Sequence, residues 1–139
     1  MLRKLPVLLV LALPIWAHHG DAGRYEETIT VLEGKVVDLQ LVDPHSIIVF
    51  DVDTNGKTVR WQAELNGRAG LSRLGWTRNT VKPGDKIKVT GRKVKSGAAY
   101  MNLTDRANIV LVDSGKEIFR TDNYGTNVPK NPSAGLNTP

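Results

Sequence analysis

Apolar and polar side chains alternate between residues 57 and 65, and this alternation is the strongest constraint on the fold. Four apolar side chains share one face and three polar side chains share the other: Val59, Trp61, Ala63 and Leu65 against Arg60, Gln62 and Glu64. A period of two is that of a strand with one buried face, so we expect Trp61 inside the core and Glu64 at the surface. Residues 46–53 alternate similarly, and Asn55-Gly56 supplies the positive φ angles of a tight turn. The sequence therefore predicts an antiparallel β-hairpin.

Three further strands are predicted around this hairpin. Residues 28–42 alternate on both sides of Gly34, and a glycine inside a strand is typical of a bulge or bend. Residues 86–91 alternate after a proline–glycine turn, and residues 98–112 contain the last strand region. With the hairpin, the chain holds five strand candidates.

A short helix is predicted over residues 68–74, between the third and fourth strands. Leu71 and Leu74 are three positions apart, so both would face the core, and Gly75 suits a C-terminal cap. The order β-β-β-α-β-β is that of an oligonucleotide/oligosaccharide-binding (OB) barrel. We therefore predict an all-β fold, a small five-stranded OB-like barrel with one short helix between strands 3 and 4. The alternative is a small open sandwich.

The two ends of the chain differ in composition from this middle part. Two basic residues precede an apolar run of twelve residues and the small residue Ala17, which is the order of a signal peptide. Twelve residues fall short of the roughly 20 needed to span a bilayer. We expect a signal peptide over 1–17, export to the periplasm or beyond, no transmembrane segment after cleavage, and an OB-like domain over 18–120. Residues 121–139 carry prolines, asparagines and glycines, so we expect a disordered tail.

Several function classes lack their residues in this chain. Cysteine is absent, which excludes disulfides, thiolate metal sites and cysteine nucleophiles. The sequence contains no G-x-S-x-G, H-E-x-x-H or phosphate-binding glycine loop, so no enzyme class is indicated. The net charge of +5 is modest and includes the two basic residues of the signal peptide. Because single-strand binding needs exposed aromatic residues in a basic groove, and aromatics are few here, we expect no nucleic-acid partner.

The chain has three histidines, His18, His19 and His45, and cleavage after Ala17 would make His18 the first residue. The free α-amine and the Nδ1 atom of an N-terminal histidine can chelate one metal ion, and a further imidazole completes a histidine brace. Such all-nitrogen donor sets suit Cu(II). We therefore predict a copper site formed by these three histidines. The alternative is that the His-His pair is a polar start of the chain and that His45 caps a turn.

Trp76 and Arg78 are the second candidate site, because they follow the predicted helix in a Gly-Trp-Thr-Arg segment. Tryptophan and arginine are enriched in the hot spots of protein interfaces. This pair predicts a non-catalytic adaptor that docks on a periplasmic partner protein. The alternative is that Trp76 plugs the end of the barrel, and burial of both side chains would disfavour docking.

Six short motifs together resemble a family of short exported bacterial proteins of unknown function. In this chain they are Ala17-His18-His19, Asp43-Pro44-His45, Trp61, Gly75-Trp76-Thr77-Arg78, Pro83-Gly84-Asp85 and Gly91. The resemblance covers about residues 17 to 112 and departs at Asp43, where the family pattern has asparagine. It implies the same fold and a joint role for the three histidines, and it implies no activity or substrate.

Overall fold

The computed structural model describes residues 23–127, which form seven strands and one short helix. In chain order these are β1 (Thr30–Gln40), β2 (Ile47–Thr54), β3 (Lys57–Glu64), α1 (Arg68–Arg73), β4 (Lys86–Lys93), β5 (Tyr100–Asn102), β6 (Asn108–Leu111) and β7 (Glu117–Arg120). No helix within residues 23–127 has the length and apolar character needed to cross a bilayer.

Five of these strands close into a barrel. The sheet runs β1-β2-β3-β5-β4, and β4 pairs back with β1. The β3–β5 pairing is parallel, whereas the other pairings around the barrel are antiparallel. β6 and β7 extend the sheet from β4. The structure therefore confirms the predicted five-stranded OB-like barrel, with α1 between β3 and β4.

β1 closes the barrel because it pairs with two different strands. Its first half, Thr30–Lys35, pairs with β4, and its second half, Lys35–Gln40, pairs with β2. Gly34 lies where the strand passes from one partner to the other. A Cβ atom at Gly34 would lie 2.9 Å from the Phe50 ring and against the Asp51 carbonyl group. Gly34 is therefore required for close strand approach, while the register shift of β1 occurs later, between Val36 and Asp38.

The predicted hairpin is present, with Asn55 and Gly56 at φ angles of 50° and 78° in a two-residue turn between Thr54 and Lys57. Its predicted inner face is only partly correct. Ala63 is fully buried, but Trp61 is half-buried and packs against the core from its edge. The Trp61 indole therefore lies on the core side, as expected, but is not fully enclosed, because the buried position of β3 is Ala63, nearer the C-terminal end of the strand.

The helix ends one residue earlier than predicted, and this changes which side chains it buries. Leu71 is fully buried, but Leu74 is 61% exposed, so the expectation that both leucines face the core is wrong. The reason is the C-terminal cap, in which Gly75 takes a φ angle of 84°. The backbone N–H groups of Gly75 and Trp76 donate to the carbonyl oxygens of Ser72 and Leu71, at 3.0 Å each. This is a Schellman motif, and it turns Trp76 rather than Leu74 onto the core.

The C-terminal part contains more structure than the sequence suggested. The last predicted strand region, 98–112, is two strands, β5 and β6, and β7 was not predicted. Beyond residue 120 the chain still makes hydrogen bonds: the Thr121 N–H donates to the Ala107 carbonyl at 2.9 Å, and the Asn123 amide donates to Asp105 at 2.6 Å. The first residues of the predicted tail, Thr121 and Asn123, are therefore hydrogen-bonded to the domain, and the position at which the tail begins stays a prediction. Residues 128–139 and the predicted signal peptide lie outside the described residues.

The burial of individual side chains in the hairpin predicts how much each truncation to alanine lowers the free energy of unfolding. Phe50→Ala is expected to lower the free energy of unfolding by about 3–5 kcal/mol, because Phe50 is fully buried. Trp61→Ala is expected to lower it by less, because solvent already reaches that indole. Gln62→Ala, at an exposed position of β3, should change it by under about 0.5 kcal/mol. Urea denaturation measures all three, and equal midpoints for Phe50→Ala and Gln62→Ala would contradict the assigned facing.

Candidate functional site

A small polar cluster lies where the β1–β2 loop meets the end of β3 and the start of β5. The Nδ1 atom of His45 is 3.5 Å from Oε1 of Glu64, and the Tyr100 phenol donates a hydrogen bond to Oε2 of the same carboxylate. The His45 side chain is 55% exposed, whereas that of Glu64 is only 13% exposed. We call these three residues the His45 cluster.

The loop that carries His45 is held against the end of β3 by backbone contacts. Ser46 is fully buried; its N–H donates to the Asn66 carbonyl at 3.2 Å and its carbonyl accepts from Leu65 at 2.8 Å. The preceding turn packs on Gly67, where a Cβ atom would lie 2.6 Å from the Pro44 carbonyl oxygen. These contacts fix His45 beside Glu64.

Glu64 was expected at the surface, and that expectation is wrong. The parallel pairing of β5 with β3 lays Tyr100 alongside the end of β3, and His45 covers the other side of the carboxylate. The sequence did contain a signal for this contact. Register counted from the Asn55-Gly56 turn sets Glu64 opposite Ile47, two positions from His45. The sequence contains no such signal for Tyr100. β5 pairs with β3 in parallel, so no tight turn joins the two strands and the register of the pairing cannot be counted from one.

Tyr100 remains a hydrogen-bond donor over a wide pH range. Burial, with the hydrogen bond to Glu64 as the next cause, raises the pKa of the Tyr100 phenol well above its usual value. At neutral pH the phenol is therefore protonated and donates to the Glu64 carboxylate. Its role in the cluster is to hold one carboxylate oxygen while the other faces His45.

The first described residues lie next to the same cluster. The Arg24 carbonyl accepts from Lys95 at 3.0 Å, and Tyr25 pairs with Val94. The Arg24 guanidinium lies 5.7 Å from the centre of the Tyr100 ring. The chain that enters the barrel from its N-terminal side thus passes beside Tyr100.

Arg92 of β4 fastens this entering segment. Its Nε atom donates to the Glu26 carbonyl at 2.7 Å, and a terminal nitrogen reaches the Glu27 carboxylate at 2.9 Å. Asp105 lies 3.3 Å from the guanidinium on another side. Arg92 is only 15% exposed, so these contacts form a largely buried anchor.

Of the predicted metal ligands, the structure describes His45 alone. His18 and His19 lie outside the described residues. Within residues 23–127, no three histidine, aspartate or glutamate side chains lie close enough together to hold a metal ion. In the described part of the chain, the acidic side chain next to His45 is that of Glu64.

The second candidate pair, Trp76 and Arg78, is split between the core and the surface. Trp76 is buried; its indole N–H donates to the Ile118 carbonyl at 3.0 Å and its ring meets Phe119 edge-on, with centroids 6.2 Å apart. Arg78 is exposed. An open cleft of about 600 Å³ lies beside Trp76, and Leu74, Lys82 and Lys116 are among the other residues that line it. Docking on a partner stays a prediction, and Arg78 is the accessible member of the pair.

Comparison with known proteins gives one family match, and it covers the part of the chain that contains the His45 cluster. The model of a family described as a family of unknown function (DUF6152) matches residues 7–102. The chain belongs to the DUF6152 family. This confirms the resemblance to a family of unknown function. The DUF6152 match spans the barrel through β5 and includes all three residues of the His45 cluster, whereas β6 and β7 lie beyond it. Searches of the curated proteins and of the solved structures each found no significant match.

The split between Trp76 and Arg78 predicts a large loss of stability on truncation of Trp76 and almost none on truncation of Arg78. Trp76→Ala is expected to lower the free energy of unfolding by about 3–5 kcal/mol, because it empties the space against Phe119. Arg78→Ala should change it by under about 0.5 kcal/mol, so it is the variant suited to a test of docking. Urea denaturation compares the two. Similar midpoints would show that Trp76 is not part of the core.

Proposed function

We propose that this protein is an exported β-barrel module that binds one transition-metal ion through His18, His19 and His45. The ion that we propose is copper(II). The observation that supports this most directly is the attachment of residues 24–25 beside Tyr100, and hence beside the His45 cluster. The N-terminal segment and His45 are far apart in sequence but start from the same end of the barrel.

The length of chain before this attachment point supports the proposed ligand set. His18 lies six positions before Arg24. An extended chain advances by about 3.3–3.6 Å per residue, so six residues reach up to about 20 Å. The path from the Arg24 guanidinium to His45 crosses one tyrosine ring and one carboxylate. A reach of this length supports a ligand set that combines His18 with His45.

The chemistry of the donors favours copper(II) over softer metals. In the proposal, cleavage after Ala17 frees the α-amine of His18, which chelates the ion together with that residue's own Nδ1 atom. His45 supplies a further nitrogen from the rigid loop. Nitrogen-rich sets of this kind suit Cu(II), and the chain has no cysteine to supply thiolate. Because protons compete for the amine and imidazoles, binding should weaken as the pH falls.

The structure gives less support to the adaptor alternative. An aromatic anchor at an interface must be accessible to the partner. Trp76 instead packs on Phe119 and donates its indole hydrogen bond inside the chain. The exposed Arg78 remains, but a lone surface arginine does not define a partner.

The test is a Cu(II) titration of the processed protein, purified after export, with its N-terminus determined by intact mass. We expect one tightly bound equivalent with a nitrogen-rich electron paramagnetic resonance (EPR) spectrum. The His18→Ala and His45→Ala variants should each bind more weakly, and one added alanine before His18 should weaken binding because it displaces the α-amine. Arg78→Ala is the control and should bind as the wild type does. An unchanged spectrum in the His18→Ala, His45→Ala double variant would contradict the proposal.

A further inference from the structure

We infer that Glu64 is itself a ligand of this metal ion, so that the barrel presents a two-residue half-site made of His45 and Glu64. The inference rests on the proposed function but concerns different atoms, because it assigns a carboxylate oxygen to a set so far built from histidines. The half-site lies entirely within the described residues.

The two side chains are too far apart for a good hydrogen bond and close enough to share one ion. Nδ1 of His45 and Oε1 of Glu64 are 3.5 Å apart. Good N–H···O hydrogen bonds measure about 2.7–3.2 Å. Metal–nitrogen and metal–oxygen bonds of about 2.0–2.2 Å set two neighbouring donor atoms about 3.0 Å apart at the right angle of a square-planar Cu(II) site, and about 3.4 Å apart at a tetrahedral angle. The pair is therefore close to the spacing of adjacent ligands, and a Cu(II) ion would draw the two donor atoms together by about 0.5 Å.

The Glu64 carboxylate is held with one oxygen toward His45. Tyr100 donates to Oε2, which leaves Oε1 for His45 or for an ion. The backbone is fixed as well, since the Leu103 N–H donates to the Glu64 carbonyl at 2.8 Å. Metal sites commonly use such hydrogen-bonding partners to orient a ligand before the ion arrives.

A cation would also stabilise the negative charge of the Glu64 carboxylate. Its side chain is only 13% exposed, and a carboxylate removed from water is costly unless it is paired. Among residues 23–127, no lysine or arginine forms an ion pair with Glu64; its ionic neighbour is His45. The buried acid Asp105, by comparison, lies between two arginines. A bound metal ion would supply for Glu64 the positive charge that Arg92 and Arg106 supply for Asp105.

An oxygen ligand changes which ions the site prefers. A set of nitrogens with one carboxylate suits Cu(II) and Zn(II), and it disfavours Cu(I), which prefers soft sulfur donors. The barrel would then contribute two ligands, one of them anionic, and the N-terminal segment would complete the set.

The experiment is Cu(II) titration with EPR on the Glu64→Gln variant. Glutamine keeps the shape of the side chain and an oxygen to accept from Tyr100, but removes the charge. We expect the copper affinity to fall by at least about tenfold, the lower end of the loss seen when even an orienting partner is changed. We also expect shifted parallel g and copper hyperfine values, because the donor set changes.

Two further variants control for indirect effects. Glu33→Gln makes the same chemical change at an exposed position of β1 and should leave affinity and spectrum unchanged. Tyr100→Phe removes the hydrogen bond to Glu64 and should lower the affinity by less than Glu64→Gln does. An unchanged urea midpoint of metal-free Glu64→Gln shows that the variant is folded.

Each outcome separates the two proposals. If the wild type binds no copper, the proposed function fails, and the inference fails with it. If the wild type binds and Glu64→Gln has the same affinity and spectrum, the Glu64 assignment alone is overturned. A lower affinity with an unchanged spectrum also overturns it, because Glu64 would then act only through His45. Lower affinity with a shifted spectrum supports it.

Discussion

The double pairing of β1 is the constraint on which the rest of this structure depends. One half of the strand bonds to β4 and the other half to β2, so a single strand joins the two sides of the sheet into a barrel. This is possible because Gly34 allows the backbones of β1 and β2 to approach closely at the crossing. Closure brings the β1–β2 loop, the end of β3 and the start of β5 to one rim of the barrel. The His45 cluster is a direct product of that geometry.

Local signals in the sequence were sufficient for most of the barrel. The Asn55-Gly56 turn fixes a hairpin register, period-two alternation marks its strands, and the glycine after α1 marks where the helix ends. Features that depend on distant contacts were missed or misjudged. β7 has only four residues, too few for a visible period. Leu74 was misjudged because the Schellman motif gives its expected place to Trp76.

The candidate site shows the same division between local and distant information. His45 stood out by residue type alone, because histidine is rare in this chain and sits next to proline in a turn. Glu64 looked like a surface residue, since alternation describes which face a side chain is on but not what covers that face. Its cover comes from Tyr100, 36 positions away and joined through a parallel pairing that no turn specifies. A carboxylate becomes chemically informative only when its neighbours are known.

The anchoring role of Arg92 has a consequence for the order in which the chain assembles. Residues 26 and 92 are separated by 66 positions, and the buried guanidinium joins them. The N-terminal segment is synthesised first, yet its resting place does not exist until the fourth strand has joined the sheet. Contacts between residues so far apart in sequence form late in folding, because a long loop must close before they are gained. We therefore expect the segment that Arg92 holds, Glu26 and Glu27, to be among the last of the described residues to reach its native position.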